Sequence, residues 1–180
     1  MGLLGAIFGP SKDDIWAQIA KDVDGSFEDG GFFGKDVLRV TSGPWEMTLD
    51  TYVDTENETN ETYTRLRAPF VNKDGLQFEI YREGYFSTAG KLMGMQDIQI
   101  GDAFFDDNFI IKSNSEDKIK LLLRDDALKH LIHAQPDIRF EIRDDEGWFG
   151  DNFPDGVDEL YFECNGAVMD ETRLRNLFDL

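Results

Sequence analysis

From Trp45 to Asp54 the chain alternates: Trp45, Met47, Leu49 and Val53 are apolar, while Glu46, Thr48, Asp50 and Asp54 are polar. That is the period of a strand with one face toward a core and the other toward water. Asp54 to Asn60 reads as a hairpin loop, after which Leu66, Ala68 and Phe70 point one way and Arg65 and Arg67 the other. Asn72-Lys73-Asp74-Gly75 has turn composition, and Leu76, Phe78 and Ile80 resume the alternation. The pattern predicts a meander whose wet face pairs Arg65 and Arg67 with acids such as Glu46 or Glu79. A second alternating pair lies near the C-terminus, where Ile138, Phe140 and Ile142 alternate with Arg139, Glu141 and Arg143. Leu160, Phe162 and Cys164 alternate there with Glu159, Tyr161 and Glu163. These two segments predict a hairpin with charge-complementary wet faces. Across both regions, Trp45, Leu49, Phe78, Ile80, Phe140, Ile142, Leu160 and Phe162 are expected to be buried.

Helical spacing governs the rest. After a short apolar start, Met1 to Phe8, the Gly9-Pro10 break precedes Ser11 or Asp13 as cap. Ile15, Trp16, Ile19, Ala20 and Val23 then follow at helical intervals, with Gly25 as terminator. The stretch from Gly94 to Leu123 organises the middle of the chain. Asp106, Asp107 and Asn108 close a turn, Phe109 to Lys112 read as a short buried strand, and Ser113 to Glu116 have capping-box spacing. Ile119, Leu122 and Leu123 form one apolar stripe, and Ala127, Leu128, Leu131 and Ile132 form another, out of phase with the first. The rotation across Arg124-Asp125-Asp126 predicts two short helices, the second capped by Asp125. A last helix carries Leu174, Leu177 and Phe178, with Asp170 as its cap. The fold class that results is α+β. It is a single domain over residues 1–180 with a mainly antiparallel sheet, made of an N-terminal meander and a C-terminal hairpin. An N-terminal helix, a central pair of short helices and a C-terminal helix accompany the sheet. Residues 1–10 are read as a flexible or docking segment.

Composition narrows the function classes. A chain of 180 residues with 41% hydrophobic content and 15 Phe has the material for a core. Its net charge of −19 argues against a nucleic-acid surface and against anionic lipid, both of which need clustered Lys and Arg. One cysteine, Cys164, cannot form an internal disulfide, and no apolar run is long enough to span a bilayer, so a reducing cytoplasm is expected. Gly2 invites acylation, but Ala6 stands where the myristoylation pattern has Ser or Thr.

No catalytic signature is present. His130 and His133 have a spacing that could present two nitrogens to a metal, but both fall off the apolar stripe and a third ligand is not evident, so a solvated helix face is expected. Cys164 alternates as a small buried hydrophobe rather than as an activated thiol. Asp106 with Asp107 suits turn chemistry. Asp144 with Asp145 lacks the calcium-loop pattern. No cofactor or metal site follows. The feature that stands out is the acidic loop Asp144 to Asp158, DDEGWFGDNFPDGVD, in which Trp148, Phe149 and Phe153 sit among Gly, Pro and acids. Either the three aromatics fold back to cap the end of the sheet, or, as exposed aromatics with a polar rim, they form an interface hot spot; on the second reading Trp148, Phe149, Asp151, Phe153 and Asp155 are the candidate binding residues.

Several stretches together carry a resemblance: GPSKDDIW, GPWEMTLDTY, RAPFVNKDG, GMQDIQIGDAFFDDNFIIK, AQPDIRFEI with DDEGWFG, and DELYF. Through them the chain resembles a bacterial family of uncharacterised cytoplasmic proteins. Its core from Asp97 to Leu131 is similar to a wider group of unknown-function domains in which an acidic turn, a short strand and paired helices recur. The resemblance implies a bacterial cytoplasmic origin and brings no activity. The expected function is a binding or protein-interaction module with a protein partner or a second copy. The alternative is a hydrolase or metal-dependent enzyme with a carboxylate-lined cleft.

Overall fold

The computed structural model describes residues 9–31, 35–55, 60–82, 97–143 and 153–180. Five helices are described: α1 (Lys12–Asp22), α2 (Ala103–Asp106), α3 (Glu116–Leu122), α4 (Asp126–His133) and α5 (Glu171–Asp179). The strands are β1 (Ser26–Glu28), β2 (Val37–Ser42), β3 (Trp45–Asp54), β4 (Glu61–Val71), β5 (Phe78–Arg82), β6 (Phe109–Ser113), β7 (Arg139–Arg143) and β8 (Val157–Asn165). They form one sheet in the order β1-β2-β3-β4-β8-β7-β5-β6, and every pairing with a described register is antiparallel. The α+β expectation therefore holds, but the predicted meander stops at β4: β8 and β7 lie between β4 and β5, which pairs instead with β7 and β6. The chain divides into two compact units, residues 1–66 with 165–179 and residues 67–164 with 180, so that β4 and β8 each contribute to both.

In the first unit, Ser11, one of the two caps the sequence offers, begins α1, and Asp14 completes a capping box with it. The helix buries Ile15, Trp16, Ile19 and Ala20. The indole Nε1 of Trp16 donates to the Val168 carbonyl at 2.9 Å, which satisfies the one polar atom of a fully buried ring. The α1 terminus passes so close to β2 that a Cβ on Gly25 would meet the Arg39 carbonyl oxygen at 2.5 Å, so glycine is required there by space. Leu38 and Leu49 face each other across β2 and β3, both without exposure. Thr64 Oγ1 donates to the Gly166 carbonyl and accepts from the Val168 amide, holding the strand end to the approach of α5. Asp170 caps α5 through the Arg173 amide, as the sequence predicts.

Alternation gives the buried faces of the sheet well and misjudges the other face. Leu49, Phe78, Ile80, Phe140, Ile142 and Phe162 are buried, whereas Trp45 and Leu160 are half-buried. Val53 is exposed because β3 runs past its pairing with β2, which ends at Asp50. Arg65 was expected on a wet face. It is instead 4% exposed and pairs bidentately with Asp50, at 2.6 and 2.8 Å, while Glu46 pairs with Arg39. Tyr52 lies beneath the Arg65 guanidinium, 4.8 Å from it, and stacks on Tyr63, which removes water from the pair.

In the second unit, β7 and β8 form the expected hairpin with Arg139 opposite Glu163 and Arg143 opposite Glu159. The predicted break also appears: α3 stops at Leu122, and Asp125 caps α4 by accepting from the Ala127 and Leu128 amides. The cap expected at Ser113 belongs instead to Ser115. Ser113 Oγ is engaged with the Gln77 carbonyl across the strand pair, and the Ser115 side chain makes no capping bond. The four-residue helix α2 is an addition to the sequence reading, too short for periodicity to signal.

Candidate binding cleft

Of the candidate binding residues, Phe153 is half-buried and Asp155 exposed at the foot of β8; Trp148, Phe149 and Asp151 lie outside the described residues, as do Asp144 and Asp145. His130 and His133 are exposed, and His133 meets Phe104 edge-on at 4.7 Å. Cys164 is fully buried, the expected small hydrophobe. Asp106 accepts from the Ile100 and Gly101 amides at 2.8 and 2.9 Å, which is turn chemistry, as the sequence suggests.

Two other groupings emerge that alternation alone does not announce. The first is a charged network on the supposed wet face of β5, β7 and β8. Glu79, Glu141, Tyr161 and Glu163 are all buried. Glu79 stands opposite Glu141 in the register, and Arg139 lies 3.1 Å from the first and 3.4 Å from the second. Arg143 pairs with Glu141 at 2.5 Å, its guanidinium 3.2 Å from the Tyr161 ring centroid, and the Tyr161 hydroxyl donates to Glu163. Burial pushes the Glu79 carboxyl above its ordinary range and Glu141 adds to the rise, while Arg139 opposes it. The network is packed structure: its charges face one another.

The second is a cleft of about 420 Å³ lined by Ile100, Gly101, Asp102, Lys120, Leu123, Arg124 and Lys129. Each wall has a local cause. Asp102 caps α2 through the Phe105 amide, which presents its second oxygen to Lys129 at 2.7 Å. Lys120 lies in the last turn of α3, and Leu123 and Arg124 follow in the turn that ends it. The break at Arg124-Asp125 then turns the chain so that Lys129 of α4 faces the same opening.

Three cations thus converge in a chain of net charge −19, and they differ in their commitments. Lys129 is shared between Asp102 and Asp126, whose carboxylates raise its pKa, and it in turn holds Asp102 below the usual carboxylate range. Lys120 pairs with Glu116 within α3, an exposed contact worth about 0–1 kcal/mol and readily exchanged. Arg124 is exposed and makes no side-chain hydrogen bond or ion pair among the described residues. Its planar fork suits a carboxylate bidentately. The elements that build the cleft also leave apolar surface uncovered, with Leu121 63%, Leu122 37% and Phe104 56% exposed. A weakly committed cation on elements that also expose aliphatic and aromatic side chains is chemistry for an anionic group carried on an apolar body.

Among the described residues no helix is long and apolar enough to cross a membrane, and no group of three or more His, Cys, Asp or Glu side chains is arranged to hold a metal. Comparison with protein-family models, with curated proteins and with solved structures finds no match.

Proposed function

We propose that the chain is a non-enzymatic binding module of a bacterial cytoplasm, and that its recognition site is the cleft between α2 and the α3–α4 break. The ligand is an acidic polypeptide segment bearing apolar side chains. One observation carries this reading: Arg124 makes no side-chain hydrogen bond or ion pair among the described residues of a molecule with about twice as many acids as bases, 37 against 18, and stands in a cleft with Lys120 and Lys129. The acidic remainder repels most acidic partners, so a segment of that charge is favoured at this opening and disfavoured elsewhere. Glu79, the buried acid with a raised pKa, belongs to the sheet network and not to the cleft lining. The cleft's own acid, Asp102, is already neutralised by Lys129. Both facts favour binding over carboxylate catalysis. The buried thiol of Cys164 suits a reducing compartment.

A fluorescent peptide of Asp and Glu flanking a Trp-Phe pair provides the test. It should bind saturably, and Arg124→Glu should weaken binding roughly tenfold or more while the folded signal by circular dichroism is kept. Equal binding by Arg124→Glu would place recognition elsewhere.

A further inference from the structure

The register of the second unit places the cleft at one end of the strands and the residues that flank the acidic aromatic segment, Arg143 and Val157, at the other. Arg82 pairs with Phe109 and Tyr81 with Arg139, so Phe109, Arg139 and the residues leading to them define one end of β5, β6 and β7. The cleft belongs to that end. Its Ile100–Asp102 wall precedes α2 and the start of β6, and Ile98 is bonded to β6 through the Ile111 carbonyl. At the other end, Phe78 pairs with Ser113 and Arg143 with Glu159. There Asn72 and Gln77 both donate to Asp158, and the Asn72 amide donates to the Gly156 carbonyl. The segment between Arg143 and Val157 leaves and re-enters the sheet at this second end. Its sequence contains Asp144, Asp145, Glu146, Asp151 and Asp155, no Lys or Arg, and Trp148, Phe149 and Phe153. That is the composition the cleft calls for, an anionic segment with apolar anchors.

We infer that the partner is a second copy of this chain, whose segment 144–155 enters the cleft and leaves its own cleft open for the next copy. The inference rests on the cleft being the recognition site. Because the cleft of the copy that gives the segment stays open, the contact is heterologous and propagates head to tail instead of closing a two-fold dimer by reciprocal exchange. Aspartates of the segment pair with Arg124 and Lys120, while Trp148 and Phe149 cover Leu121 and Leu122. Self-repulsion between chains of charge −19 opposes assembly at low ionic strength and is screened over about 10 Å at 0.1 M salt. The association therefore strengthens from very low to moderate salt.

Analytical ultracentrifugation of mixed variants tests the geometry. A cleft variant, Lys120→Glu with Arg124→Glu, keeps its segment. A segment variant, Asp144→Asn, Asp145→Asn, Trp148→Ser and Phe149→Ser, keeps its cleft. The wild type should grow in mean mass with concentration, each variant alone should stay monomeric, and an equal mixture should stop at dimers. A segment variant that still self-associates, or a mixture that stays monomeric, overturns the inference. A wild type that stays monomeric at every concentration and salt also overturns it. If the Trp-Phe acidic peptide still binds that monomer in an Arg124-dependent way, the cleft reading survives and the partner is another protein. If the peptide does not bind, both readings fall. Tighter peptide binding by the segment variant than by a monomeric wild type would show the segment folding onto its own cleft, which also excludes a second copy as partner.

Discussion

Arg39 and Arg65 have the same chemistry in the same unit, and their surroundings set very different consequences for their loss. Arg39 bonds to Glu46 at 2.7 Å with both side chains substantially in water, so Arg39→Met should change stability by less than about 1 kcal/mol. Arg65→Met removes the bidentate partner of the buried Asp50 carboxylate and should cost about 3–5 kcal/mol. Urea denaturation of the two variants checks the contrast, and similar midpoints would contradict it. Glu79 gives a second expectation at this scale. Its folded pKa lies above the ordinary value of 4.5 because of burial. In the window opening at 4.5 and running upward, the folded state therefore binds more protons than the unfolded state at this group. Glu79 accordingly stabilises the fold most at or below 4.5, and that contribution is lost as pH rises through the folded pKa. The stability of wild type relative to Glu79→Gln should fall as pH is raised from 5 to 7.5, in thermal melts at matched ionic strength; a constant difference would contradict the assignment. Which residues share a face was legible in the sequence for both of these side chains. That the polar face is buried was not, because alternation reports the parity of a strand and says nothing of what covers either side.

Among the elements, the α3–α4 break shows how much phase alone can specify. Two apolar stripes rotated across Arg124-Asp125-Asp126 cannot both reach a core from one straight helix, and Ile119 and Ile132 are indeed both fully buried, one on each helix. The Asp125 carboxylate serves two otherwise orphaned amides, so Asp125→Ala should destabilise by about 1 kcal/mol. Because the break aims Lys129 into the cleft, the same change should also weaken the Trp-Phe acidic peptide; unchanged affinity would show that α4 is positioned by its packing alone. The cap at Ser11 was legible as one of two choices, whereas its reciprocal acid, Asp14, was not singled out. Ser113 does not cap α3 because its hydroxyl donates to the carbonyl of Gln77, just before β5 and distant in sequence, a partner that spacing cannot reveal. The cleft was not legible for the same kind of reason. Asp102 lies some twenty to thirty residues from Lys120, Arg124 and Lys129, and folding alone brings them together.

For the molecule as a whole, the composition suggests a surface that repels acids, whereas the fold collects part of its scarce positive charge at one end of the second unit. The acidic aromatic segment, which the sequence marks as a recognition surface, becomes in this account the ligand, and the cleft becomes its receptor. Amide chemical-shift mapping of the nitrogen-15-labelled protein with the Trp-Phe acidic peptide tests that central claim most directly. The account predicts that the largest perturbations fall on Gly101, Asp102 and the run from Lys120 to Lys129, with little change at Asp155 and Gly156 at the far end of the strands. Perturbations centred on the β3–β4 hairpin or on the foot of β8, or no saturable change at all, would contradict it.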